Sequence, residues 1–149
     1  MDIYVLELVI ALVLGMILGL ERSFAGKNAG MRTYGLVSLG SALFVVISSG
    51  LIDRMGPLYD IDPTRMAANI IVGIGFLGAG LIITQSEKVR GLTTAAGLWV
   101  AAAVGVASGF GMYATAITAT CLAIITFTLF ATLEKKLRQK FPLYHQDEE

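Results

Sequence analysis

Residues 93–133 read TTAAGLWVAAAVGVASGFGMYATAITATCLAIITFTLFATL, with no charged side chain among them. As one helix this run would extend about 60 Å, twice the hydrocarbon thickness of a bilayer. It must therefore fold back on itself, and Ser108-Gly109-Phe110-Gly111 supplies the turn. Two spans result, 93–107 and 112–133. Toward the N-terminus three further apolar runs, 3–20, 33–52 and 65–83, are each long enough to cross a membrane. The whole chain is 56% hydrophobic and 15% charged, too little charge to clothe a soluble domain of this length. A mean hydropathy of +0.76 agrees. The sequence predicts an all-α membrane protein: one five-helix transmembrane bundle within 1–140, then a polar tail, 141–149. Asp62 reads as the N-cap of the third helix with Pro63 at its first position, and Thr93 or Thr94 as the cap of the fourth.

Orientation follows from the basic residues. With five crossings, Arg22, Lys27, Arg32, Lys88, Arg90, Lys135, Lys136, Arg138 and Lys140 share one side, leaving Arg54 and Arg65 on the other. That side is expected to be cytoplasmic, with the C-terminus inside and the N-terminus outside. A four-pass arrangement would separate the first basic loop from the basic tail and fits worse. The first apolar run lacks a basic residue before it and ends in Glu21-Arg22, so it reads as a permanent helix rather than a cleaved signal peptide.

Several function classes drop out on composition. Zero net charge gives no basic stripe for nucleic acid. A single cysteine, Cys121 in mid-span, and a single histidine, His145 in the tail, leave no thiolate metal site or disulfide framework within one chain. No embedded histidine, aspartate pair or Ser/Lys combination suggests catalysis. The expectation is no enzyme, no cofactor and no metal centre.

The helices carry packing chemistry instead. Glu7, Ala11, Gly15 and Gly19 recur every four residues, as do Gly97, Ala101, Gly105 and Gly109. Small residues at this spacing let membrane helices approach closely, within the chain or in a homo-oligomer. The third helix holds Gly73, Gly75, Gly78 and Gly80. Its formal G-x-G-x-x-G lacks the preceding strand of a dinucleotide site. Close packing or a locally unwound segment lining a cavity explains it better.

Ionisable groups at membrane depth need partners. Glu7, Arg65 and Asn69 read either as a polar cluster near the outer boundary, with Glu7 paired to Arg65, or as an interfacial Glu and a snorkelling Arg that never meet. At the inner helix ends Glu21, Arg22, Arg32, Thr93 and Thr94 are expected to converge, either as a salt-bridged ring or as a site for an anion, lipid headgroup or protein. Asp2, Asp53, Asp60 and Asp62 make an acidic outer surface, read as solvated loop. The stretch from Lys135 to Lys140 should meet anionic lipid.

Five strings then carry a resemblance. Gly19-Leu20-Glu21-Arg22 closes the first helix; Ala29-Gly30-Met31-Arg32-Thr33 and the following Leu36 to Phe44 open the second. The block from Gly73 to Gly80 is followed by Arg90-Gly91-Leu92-Thr93-Thr94-Ala95-Ala96. Together they resemble the signature of the MgtC/SapB family over nearly the whole chain. The resemblance implies a multi-pass protein of the bacterial inner membrane, tied to magnesium limitation, acid stress and survival inside host cells. It implies regulation through contacts with other membrane proteins, the rotary ATP synthase among them. Many members carry a soluble cytoplasmic domain after the last helix; no ligand site of that domain is carried over here. The competing expectation is a small transporter or channel for Mg²⁺ or another cation, lined by Glu7, Asn69 and the third helix.

Overall fold

The computed structural model describes residues 3–55, 62, 64–85 and 88–141. The expectations placed on Asp2, Asp60, Pro63 and His145 fall outside these residues, as does the tail from 142 onward. Helices α1 (Ile3–Phe24), α2 (Met31–Met55), α3 (Thr64–Leu81) and α4 (Leu92–Gly109) are joined by short connections. Strands β1 (Ile83–Gln85) and β2 (Lys88–Arg90) form a small antiparallel hairpin between α3 and α4, with Ile83 opposite Arg90. After the turn, α5 (Tyr113–Ile125), a π-helical turn (Thr126–Phe130) and α6 (Ala131–Lys140) continue in helical backbone. Among the described residues, five helices are long and apolar enough to cross a membrane.

The elements differ from expectation at their ends. Helix α1 runs through Glu21 and Arg22 to Phe24 because Arg22 is buried there rather than solvated. Helix α3 stops at Leu81, since Ile83–Gln85 is drawn into strand pairing. Neither Thr93 nor Thr94 caps α4. Gly91 holds that place at φ +93°, where a Cβ would overlap the Leu81 carbonyl oxygen, so only glycine fits. Gly111, at φ +70°, makes the α4–α5 turn.

Helices α1, α2 and α4 pack mutually, and α4 also touches α3 and α5. Their seam is made where glycine meets backbone. A Cβ on Gly15 would stand 2.7 Å from the Tyr34 carbonyl oxygen and 2.6 Å from the Ser38 Cβ. On Gly19 it would meet the Met31 Cα at 2.6 Å, and on Gly105 it would overlap the Ser38 carbonyl oxygen. Ser38 is thus gripped from both sides, and its hydroxyl donates across the seam to the Ala11 carbonyl (2.7 Å). Leu18, Tyr34, Leu98, Ala101 and Val104 fill the core around it.

Candidate functional site

At the basic end the α1–α2 loop, the hairpin, the start of α4 and the π-helical turn enclose an open bowl of about 1180 Å³. Glu21, Arg22, Thr93 and Thr94 line it together. Arg22 is its fixed centre, only 4% exposed. Its guanidinium pairs with Glu21 and lies over the Phe127 ring, 3.9 Å from the centroid. A desolvated cation on an aromatic face is worth on the order of 2 kcal/mol, and the pair spares it an unmatched charge. Arg22 is therefore committed to structure. Lys27 and Arg90 are exposed on the rim, with no ion pair among the described residues.

The π-helical turn is what presents Phe127. A turn with one extra residue shifts the register of the helix face, and such turns gather at functional sites. Around it Thr126, Thr128 and Thr132 donate their hydroxyls to carbonyls four residues back, those of Leu122, Ile124 and Thr128. These hydroxyls satisfy themselves within the helix, so they line the bowl without offering it a free donor. Below, the Tyr34 hydroxyl donates to the Thr94 carbonyl at 3.1 Å, and Gly97 makes room for both Tyr34 and Phe127.

Arg32 does not join this cluster. Tyr34 points into the core, and Arg32, two residues earlier, lies about 200° around the helix. It borders a different space, a groove between α2 and α3. The expected outer cluster is not assembled either. The α2–α4 pair stands between α1 and α3, so Glu7 is buried beside the α4–α5 turn, near Gly111. Arg65 is exposed at the start of α3 without an ion pair among the described residues, and Asn69 borders the α2–α3 groove. Glu7 Oε2 is buried without a hydrogen-bond partner among the described residues.

The glycines divide. Gly15, Gly19, Gly97 and Gly105 make close approaches, while Gly78 only reaches the Ala95 Cβ at ordinary contact, 3.7 Å. Gly73, Gly75 and Gly80 have open space where a Cβ would stand, so the close packing expected of them is absent among the described residues. Their helix is continuous, not unwound. Among the described residues no group of three His, Cys, Asp or Glu side chains could hold a metal ion.

The sequence reading missed Tyr34 and Phe127. Tyr34 could have been found, since a phenol at the head of an apolar run needs an acceptor once it is buried. Phe127 could not, because nothing in an apolar sequence marks a π-helical turn.

Comparison with known proteins places this arrangement. The chain is 47% identical over 127 residues to Protein MgtC of Brucella abortus, covering 85% of this chain and 51% of the relative. It is 40% identical over 136 residues to Protein MgtC of Salmonella typhimurium, covering 91% and 56%. With a protein of Escherichia coli K12 named "Putative magnesium transporter YhiD" it shares 37% identity over 139 residues, 92% of this chain and 65% of that one. The chain thus spans half to two thirds of the length of these relatives. No solved structure matches it. The MgtC family profile matches residues 8–136, and the chain belongs to the MgtC family.

Proposed function

We propose that this protein is a non-catalytic regulator of the bacterial inner membrane that works by docking other membrane proteins, its basic end facing the cytoplasm. The family suggests the setting, adaptation to magnesium limitation or acid stress, and the rotary ATP synthase as one kind of partner. The observation that carries the reading is the contrast between a closed centre and an open flank. Where α1, α2 and α4 meet, backbone lies against backbone at Gly15, Ser38 and Gly105, which leaves no room for a hydrated path. Helix α3 leans on α4 and keeps Val72 (75% exposed), Phe76 (83%) and Gly75 uncovered. A glycine-bearing flank lets a partner helix come close, the main source of helix affinity in lipid.

One observation favours a second reading, cation transport. Glu7 is a buried carboxyl whose Oε2 has no partner among the described residues, and ion pathways are one of the roles that acids within a membrane serve. Reconstitution into liposomes separates the two. Under the regulator reading, Mg²⁺ and proton fluxes match those of empty vesicles. A flux above that level, removed by Glu7→Gln in a folded protein, overturns the regulator reading in favour of transport.

A further inference from the structure

The groove between α2 and α3 has a chemical gradient along its length, basic at one end and apolar beyond. It encloses about 740 Å³, within the roughly 300–1,000 Å³ of small-ligand sites. Arg32 and Thr33 stand at its basic end, and Phe44, Ile70, Ile74 and Leu77 line its length. Of the other polar groups that border it, Ser41 spends its hydroxyl on the Val37 carbonyl of its own helix (2.9 Å), and Asn69 stands toward the far end.

Two features keep the groove open. Gly40 and Gly73 both border it, and each has nothing within 4 Å of where a Cβ would stand. The helices therefore part where their side chains are smallest. Helix α3 is also held from behind, by Gly78 against Ala95 on α4 and by Leu81 against Gly91.

We propose that this groove binds one acyl chain of an anionic phospholipid, with the lipid phosphate on Arg32. Charge complementarity selects this occupant. Arg32 is exposed and makes no ion pair among the described residues, and it sits where the second apolar span begins, at headgroup depth. An apolar slot capped by one unmatched cation fits an amphiphile with an anionic head. A partner helix would have to supply a carboxylate at that single level. The proposal does not depend on the regulator reading, because Val72 and Phe76 do not border the groove.

Native mass spectrometry of the full chain in mild detergent tests it, using phosphatidylglycerol and phosphatidylcholine with identical acyl chains. The wild type should retain phosphatidylglycerol in preference to phosphatidylcholine. Arg32→Gln should weaken phosphatidylglycerol about fivefold, the worth of one cation at a charged leaflet, and leave phosphatidylcholine unchanged. Gly73→Leu and Gly40→Leu fill the groove where there is space, so each should melt like the wild type yet lose both lipids. Equal retention of the two lipids by the wild type overturns the proposal. So does undiminished phosphatidylglycerol binding in both glycine variants. A lipid-free wild-type dimer that Gly73→Leu converts to monomer would assign the groove to a second copy and overturn it as well.

Discussion

Helix α2 meets its neighbours in two unlike ways. Against α1 and α4 it packs until backbone touches backbone; against α3 it stands off and leaves a groove. Glycine is abundant on both sides, so its presence alone does not decide the outcome. Spacing decides. Gly15 and Gly19 lie four residues apart, and so do Gly97, Ala101, Gly105 and Gly109, which stacks them on one stripe. Gly73, Gly75, Gly78 and Gly80 advance by two or three residues, so about 100° per residue spreads them around the helix. No single neighbour can use them all. A stripe of glycine zips two helices; a scatter thins one helix on several sides.

The largest test of this contrast places one substitution on either side of α2. Gly105→Leu drives a branched side chain into the Ser38 carbonyl, which cannot yield without parting α4 from α2. Overpacking costs typically about 1–3 kcal/mol, and collision with backbone belongs at or above the upper end. Gly73→Leu meets open space and should cost less than about 1 kcal/mol beyond propensity effects. Thermal melting in detergent should therefore find Gly105→Leu unfolded or strongly destabilised and Gly73→Leu near the wild type. Equal losses would mean that α3 packs on something with the same closeness.

Glu7 gives the next effect, of opposite sign. It lies in the α1 stripe with Ala11, Gly15 and Gly19, yet its buried oxygen has no partner. An unsatisfied buried polar group costs about 1–3 kcal/mol, so Glu7→Leu should raise stability by an amount in that range. Because Arg65 lies across the α2–α4 pair, Glu7→Gln and Arg65→Gln should be additive within about 0.5 kcal/mol. A larger coupling energy would restore the pairing expected from the sequence.

Two serines of α2 give a finer test. Ser38 donates across the seam to Ala11, whereas Ser41 donates to its own helix at Val37. Ser38→Ala should cost about 1 kcal/mol, the usual net worth of a buried hydrogen bond. Ser41→Ala removes a bond that competes with the helix ladder and should be close to neutral. Guanidinium-free melting midpoints in one detergent would rank them, and the reverse order would contradict the seam.

Much of this was legible in the residues. The length of 93–133 forced a turn, and the i, i+4 stripes were the positions that pack closely. The polar sites were less so. Helix ends bring Glu21, Arg22, Thr93 and Thr94 to one level, which sequence can show; the direction in which Arg32 leaves α2 depends on burying Tyr34, which it does not. Glu7 and Arg65 do lie near the same end, but depth says nothing about which helices stand between them. The three-residue strands escaped notice because a hairpin that short has no alternation to read.

The smallest expected effect lies where α3 begins, the more weakly held side of the comparison. Asp62 accepts hydrogen bonds from the Thr64 backbone N–H (2.8 Å) and the Thr64 hydroxyl (2.6 Å). Both favour the carboxylate and hold its pKa below the ordinary 3.8, the side-chain bond most strongly. A pKa depressed on folding adds stability that is complete above the unfolded value and lost as pH falls through the folded one. Acid below about pH 4 should therefore loosen the first turn of α3. The α1–α2–α4 seam, held by hydroxyl–carbonyl bonds and backbone contact, has nothing comparable to titrate at Ser38 or Gly105. The Thr64 amide resonance, followed by NMR in micelles, should shift with a midpoint below 3.8, while the Ser38 amide stays still. Asp62→Asn keeps an acceptor at the cap and should abolish the Thr64 titration without unwinding α3. A midpoint above the ordinary carboxylate value would mean that Thr64 does not hold Asp62 in its charged form, and the start of α3 would need another anchor.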